Sequence, residues 1–317
     1  MTASSDRRRV LAGLILAPGL SGGLIASVGA CKPRQSGPMP ANPQTRADIK
    51  IDLSDLETTN GGRIGLSATD MNRVSWRGDE RFNYCSTFKL FLAAAMIERV
   101  EHEQEKLDRA VPVTVADRVP NAPVGEAAIG KSLTIKDMMQ AAVEVSDNIC
   151  ANILLRELGG LDVLRAWYRS AGDMITRVDR TEPMLNVHDG DKDTTQPNQI
   201  AQTLGWMLDT YDPLGFQSDF ADLWSWMINS VPGAARIKGG VPEGWTVAHK
   251  TGTGGSGQTN DIGVIYPPIG QPIRIAIYYD APATLDQKAC DAVVAEATRR
   301  AVHALGRDVP VDAAAAS

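Results

Sequence analysis

Ser86 and Lys89 stand three residues apart in Ser86-Thr87-Phe88-Lys89, where an almost unbroken apolar run begins. If that run is a helix, the lysine projects from the same face as the serine. A serine hydroxyl is a weak nucleophile and needs a neighbouring base. Lys89 could be that base if burial and a second cation, Lys250, lower its proton affinity. A hydroxyl at a helix start also lies close to backbone N–H donors. Three further clusters follow: Ser146-Asp147-Asn148, Glu182-Pro183-Met184-Leu185-Asn186 and Lys250-Thr251-Gly252-Thr253-Gly254. Glu182 is a candidate general base toward water, and Asn186, four residues on, can hold the same water from a helical turn.

Taken singly these motifs are weak, since an S-x-x-K arises about once by chance in a chain of this length at average residue frequencies. A lone S-D-N or K-T-G could be a turn. All four in this order are specific. The set resembles the class A serine β-lactamase family, with its S-x-x-K, S-D-N, E-x-x-L-N and K-T-G, and the resemblance runs from about Ile49 to Leu305.

The resemblance implies that Ser86 opens the β-lactam amide of penicillins and cephalosporins as an acyl-enzyme, and that water activated by Glu182 clears it. It implies an oxyanion hole from the N–H groups of Ser86 and Thr253, a proton relay at Ser146 and a contact from Asn148 to the substrate's side-chain amide. Lys250, Thr251 and Thr253 would receive the substrate carboxylate. Arg236 matches a position from which some members send in an arginine, whose fork suits a carboxylate; the alternative is a surface arginine paired elsewhere. Whether Lys89 or Glu182 takes the proton of Ser86 stays open. The family also implies a cis Glu182–Pro183 bond and an Arg180–Asp193 ion pair closing the neck of the Glu182 loop, although the interval from Asn186 to Asp193 is shorter than usual.

The chain departs from the family at several points. Asn121 stands where an aromatic residue is usual, which makes one pocket wall less apolar. Cys85 precedes the nucleophile as in several carbapenem-hydrolysing members, but Gly254 occupies the partner cysteine's place, so Cys85 is expected as a buried free thiol. Gly254-Gly255-Ser256-Gly257 either widens access for bulky cephalosporin side chains or is a flexible connection. Two rival readings are a penicillin-binding D-alanyl-D-alanine peptidase, which has no use for Glu182 and Asn186, and a surface lipoprotein that keeps the fold for binding alone.

These residues need elements to hold them. The spacing predicts a hairpin from Arg63–Met71 and Val74–Phe82 and a buried helix from Ser86. Thr134 with Asp137 is a capping-box-like helix start. Further helices are expected at Ile149–Leu158, Leu161–Ser170, Asn198–Asp209 and Ala221–Asn229. Strands follow at Trp245–His249, Asp261–Tyr266 and Ile273–Tyr279, then a helix at Asp286–Leu305. The expected fold is α/β (an α+β sandwich): an antiparallel sheet from both chain ends with flanking helices, and an inserted all-helical lobe, with the site in the cleft between them. The catalytic domain would span 49–317, its α/β lobe about 49–85 and 231–306 and its helical lobe about 86–230.

The chain of 317 residues is 43% hydrophobic and 22% charged, in the ordinary globular range. Its net charge of −6 argues against a nucleic-acid partner, which would need a basic face. Cys31, Cys85, Cys150 and Cys290 lack C-x-x-C spacing and the four histidines form no cluster, so no metal is expected. No cofactor is expected either, and the protein is expected to act as a monomer on small-molecule substrates. Residues 1–31, with Arg7-Arg8-Arg9 before a glycine-rich apolar stretch, read as a signal peptide with twin-arginine features. Val28-Gly29-Ala30-Cys31 resembles a lipobox that would lipidate Cys31; an ordinary cut after Ala30 is the alternative. Residues 32–48 read as a flexible tether. Export to the periplasm with a membrane anchor at Cys31 follows from that reading.

Overall fold

The computed structural model describes residues 47–211 and 220–307. The expected signal peptide, Cys31 and most of the tether lie outside the described residues.

Apolar segments from both ends of the described residues build one six-stranded sheet. Its strands are β1 (Asp48–Lys50), β2 (Arg63–Thr69), β3 (Arg73–Trp76), β4 (Thr246–Thr253), β5 (Gln258–Tyr266) and β6 (Ile273–Asp280), in spatial order β1-β3-β2-β6-β5-β4. The two chain ends meet where β2 pairs antiparallel with β6, Leu66 opposite Ile277. β1 runs parallel to β3 at the edge, an addition to the antiparallel sheet expected. The hairpin is present but shorter than its apolar pattern. β3 stops at Trp76, because Arg77 takes a positive φ of 45° and turns the chain out of the sheet. Phe82 and Asn83 then pair with Thr195 and Thr194 instead.

Eight helices of seven residues or more are described: α1 (Ser54–Asn60), α2 (Phe88–Glu101), α3 (Ile135–Glu144), α4 (Asn148–Leu158), α5 (Leu161–Ser170), α6 (Pro197–Tyr211), α7 (Phe220–Ile228) and α8 (Gln287–Ala304). The apolar residues of α2, from Phe88 to Ile97, are buried on every side, and exposure begins at Glu98 where the sequence turns charged. α3 begins with the capping box of Thr134 and Asp137. α4 starts on Asp147, whose carboxylate accepts from the N–H of Cys150 at 2.9 Å, and stops at Gly159 in the left-handed region.

Each face of the sheet carries its own core. On one face α1 and α8 supply Leu56, Val293, Val294 and Ala297 against Ile64, Leu66 and Ile275. On the other, Ala248, Ile262, Val264 and Tyr278 join the core of α2 to α7. Strands covered on both faces read as continuously apolar, which is the burial pattern of β2. Among the described residues no helix is long and apolar enough to cross a membrane.

Candidate active site

The nucleophile segment is held before α2 begins. Cys85 to Thr87 form a 3₁₀ turn, and Cys85 takes a φ of 50°, a costly conformation for a residue with a side chain. Ser146, Asn121 and Asp193 share that region. Four of the six described non-glycine residues with positive φ therefore lie in the nucleophile turn, the Asn121 and Ser146 segments and the loop that carries Glu182.

Ser86 Oγ donates to Glu182 Oε1 at 3.1 Å. Lys89 Nζ lies 3.0 Å from the same oxygen, and both charged side chains are fully buried. Lys89 also donates to the Ser146 carbonyl at 2.7 Å and to Asn148 Oδ1. Burial pushes the Lys89 ammonium below its ordinary pKa, against the pull of Glu182. The hydroxyl of Ser86 and the ammonium of Lys89 thus meet at one carboxylate oxygen.

Ser146 Oγ accepts from Lys250 Nζ at 3.0 Å and from Lys89 Nζ at 3.4 Å. Lys250 is held well below an ordinary lysine, first by burial and then by the charge of Lys89. A hydroxyl between two lysines, both held below the ordinary lysine pKa by burial, is suited to passing a proton.

The other oxygen of Glu182, Oε2, accepts from Asn186 Nδ2, while Asn186 Oδ1 is buried and finds no donor among the described residues. The backbone of Glu182 is fixed from α4. Asn152 Oδ1 accepts from Glu182 N at 3.0 Å, and Asn152 Nδ2 donates to Glu182 O at 2.9 Å. One side-chain amide thus does what a neighbouring strand would do. Asn152 belongs to none of the four motifs, and its one signal in the sequence is its place four residues after Asn148, which puts both on one helix face. The Glu182–Pro183 bond is cis.

Arg180 and Asp193 do meet. Asp193 is fully buried and accepts from Arg180 Nε at 2.5 Å, from the N–H groups of Asp179 at 2.8 Å and Arg180 at 2.9 Å, and from Tyr84 Oη at 3.1 Å. Asn83 Nδ2 donates to the carbonyls of Leu185 and Asp193, both at 3.0 Å. The two residues before Cys85 therefore clamp the loop that carries Glu182, a role no local sequence signal marks. The short interval after Asn186 is closed by Arg180 Nη2 donating to the Val187 carbonyl at 2.7 Å and by an Asp189–Lys192 pair at 2.7 Å. Asp193→Ala is expected to destabilise the protein by about 3–5 kcal/mol, because Arg180 and two N–H groups lose a buried partner. Thermal unfolding would register it, and a melting temperature within a degree of the wild type would contradict it.

The K-T-G segment lies within β4, longer than the strand expected to end at His249, so backbone pairing fixes it. Gly254 N donates to Gln258 O at 3.0 Å. By the alternation of an antiparallel ladder, the N–H of Thr253 points off the outer edge of β4, which contacts the turn of Ser86. An added Cβ at Gly252 would meet the Tyr84 carbonyl at 2.7 Å, so only glycine allows the strand this close to the nucleophile turn.

Arg236 is buried. It donates to Asp291 Oδ1 at 2.7 Å, to the carbonyls of Asn260 at 2.8 Å and Gly252 at 3.3 Å, and to Thr253 Oγ1 at 2.9 Å. It is neither a surface arginine nor a bare fork, but tied to the strand that carries Thr253. Asn148 Nδ2 donates to the Pro120 carbonyl at 2.8 Å, and Asn121 is exposed at the rim. Cys85 is a buried free thiol whose pKa burial raises well above the ordinary value. A Cβ at Gly254 would stand 3.0 Å from its sulfur.

The chain matches the model of the beta-lactamase enzyme family over residues 48–305. It is 37% identical over 235 residues to beta-lactamase OXY-2 of Klebsiella oxytoca, covering 73% of this chain and 80% of that one. It is 36% identical over 254 residues to beta-lactamase Toho-1 of Escherichia coli, covering 78% and 87%. Among solved structures, an ancestral class A beta-lactamase (GNCA) superposes with a TM-score of 0.74 at 44% identity, over 80% of this chain and 98% of that one. With the fold, the four motifs and these relatives in agreement, the chain belongs to the beta-lactamase enzyme family, in its class A branch.

Proposed function

We propose that the protein hydrolyses the β-lactam amide of penicillins and cephalosporins through an acyl-enzyme on Ser86, and so confers resistance to them. The observation that carries this reading is the shared carboxylate. One oxygen of Glu182 faces the Ser86 hydroxyl and the Lys89 ammonium, and the other is bonded to Asn186. A serine that only had to be acylated would not need a second base directed at the site of its ester.

In the proposed cycle Ser86 Oγ gives its proton to the Glu182–Lys89 pair and attacks the lactam carbonyl. The N–H groups of Ser86 and Thr253 stabilise the oxyanion. The carbon–nitrogen bond breaks, and the departing nitrogen takes a proton through Ser146, which Lys250 and Lys89 flank. Glu182, with Asn186, then removes a proton from water attacking the ester. The Ser86 oxygen leaves with that proton restored. Lys250, Thr251 and Thr253 receive the substrate carboxylate, Asn148 the side-chain amide, and Arg236 holds Thr253 from behind. A chromogenic cephalosporin and a D-alanyl-D-alanine peptide test the reading together: turnover of the first and not the second is expected, and the reverse would make the protein a peptidase.

The finer reading of the N-terminus is export with lipidation at Cys31, resting on the lipobox-like Val28-Gly29-Ala30-Cys31. Cys31→Ser is expected to shift the protein from the membrane to the soluble exported fraction without changing activity per molecule. Equal partition of wild type and variant would overturn it.

A further inference from the structure

The strand that carries Thr251 and Thr253 also carries one half of a buried hydrogen-bonded pair. His249 and Asp261 are both fully buried, on β4 and β5, and the His249 Nδ1 lies 2.9 Å from each oxygen of the Asp261 carboxylate. That contact places a proton on Nδ1. Nε2 is then left buried with no partner among the described residues. Asp261 Oδ2 also accepts from the N–H of Ile237 at 3.2 Å, and Ile237 follows Arg236, which donates to Thr253 Oγ1. A buried carboxylate and an orphaned ring nitrogen cost more than the apolar packing that fills the rest of this face. Side chains alternate across a strand, so His249 and Asp261 share the face of Thr251 and Thr253 while Lys250 points to the other. The negative charge of Asp261 still reaches Lys250 through the sheet.

We propose that His249 and Asp261 form a positioning pair for the substrate's carboxylate. Asp261 fixes the turn that carries Arg236, and through it the Thr253 hydroxyl, and its charge favours the protonated form of Lys250; His249 holds Asp261 in place. The inference rests on the proposed lactamase reading. The charged groups acting on Lys250 are Lys89, Glu182 and Arg236 besides Asp261, and Asp291 of α8 pairs with Arg236. Of these, Asp261 bonds to His249 and to the N–H of Ile237 and to none of Ser86, Lys89 or Glu182 among the described residues.

Asp261→Asn keeps the shape and an acceptor for Ile237 N but removes the charge. In the purified full chain it is expected to raise KM for a penicillin about tenfold, the usual scale for losing one charged partner, with kcat changed less than threefold. The alkaline limb of kcat/KM should move to lower pH, since Lys250 loses the anion that favours its charged form. For the methyl ester of the same penicillin, which lacks the carboxylate, wild type and variant should be alike. His249→Gln should shift KM in the same direction by a smaller factor, and it serves as the test if the first variant does not fold. Folded variants with unchanged KM, an unchanged pH limb or an equal loss on acid and ester would overturn the pairing. A wild type that turns over neither compound would instead remove the lactamase reading beneath it.

Discussion

Glu182→Ala is expected to lower steady-state hydrolysis of a penicillin by about a thousandfold or more, within the range seen when a positioned general base is removed. The loss should fall on release of the acyl group. Asn152 holds the Glu182 backbone from both sides, and Asn83 and Tyr84 hold the loop, so the variant keeps its loop and oxyanion donors. Stopped-flow mixing should show a burst of one equivalent followed by very slow turnover. A parallel loss of burst and turnover would mean that Glu182 is needed before the ester forms.

Lys89→Ala is expected to remove acylation itself, by about 10³–10⁴-fold in kcat/KM if it serves the proton transfer of nucleophilic catalysis. It should also destabilise the fold. The change leaves Glu182 buried without its cation and deprives the Ser146 carbonyl and Asn148 Oδ1 of their donor. Breaking one half of a buried pair costs about 3–5 kcal/mol. Lys89→Arg should not restore activity, because a planar fork cannot take the place of a compact ammonium in a fully buried site. A folded Lys89→Ala variant that acylates at the wild-type rate would contradict the account of the site.

Much of this arrangement was legible in the sequence, and the exceptions have physical reasons. α4, α5 and α8 fall within a residue of their expected limits, because apolar spacing and local stops such as Gly159 act within one turn. β4 and β5 run further than expected: Lys250 to Thr253 and Gln258 to Asn260 are polar, and their strand conformation comes from pairing with each other and with β6. β1 pairs in parallel at an edge, which a three-residue segment cannot announce. Within the site, Ser86, Lys89, Ser146, Glu182, Asn186 and Lys250 converge as their motifs implied. The supports were hidden. Asn83, Tyr84, Asn152, His249 and Asp261 act across the fold, up to 110 residues away in the case of Asn83 and Asp193. Asn83 and Asn152 could equally be surface amides when read in line.

Whether Ser86 forms an ester that Glu182 clears can be read by mass spectrometry. Wild type and Glu182→Ala would be mixed with a penicillin, followed as intact proteins over time and then mapped by peptide. The wild-type mass is expected to return to its starting value within the mixing time, and the variant to carry a persistent adduct of one penicillin on Ser86. A lasting adduct on the wild type, or none on either, would contradict it.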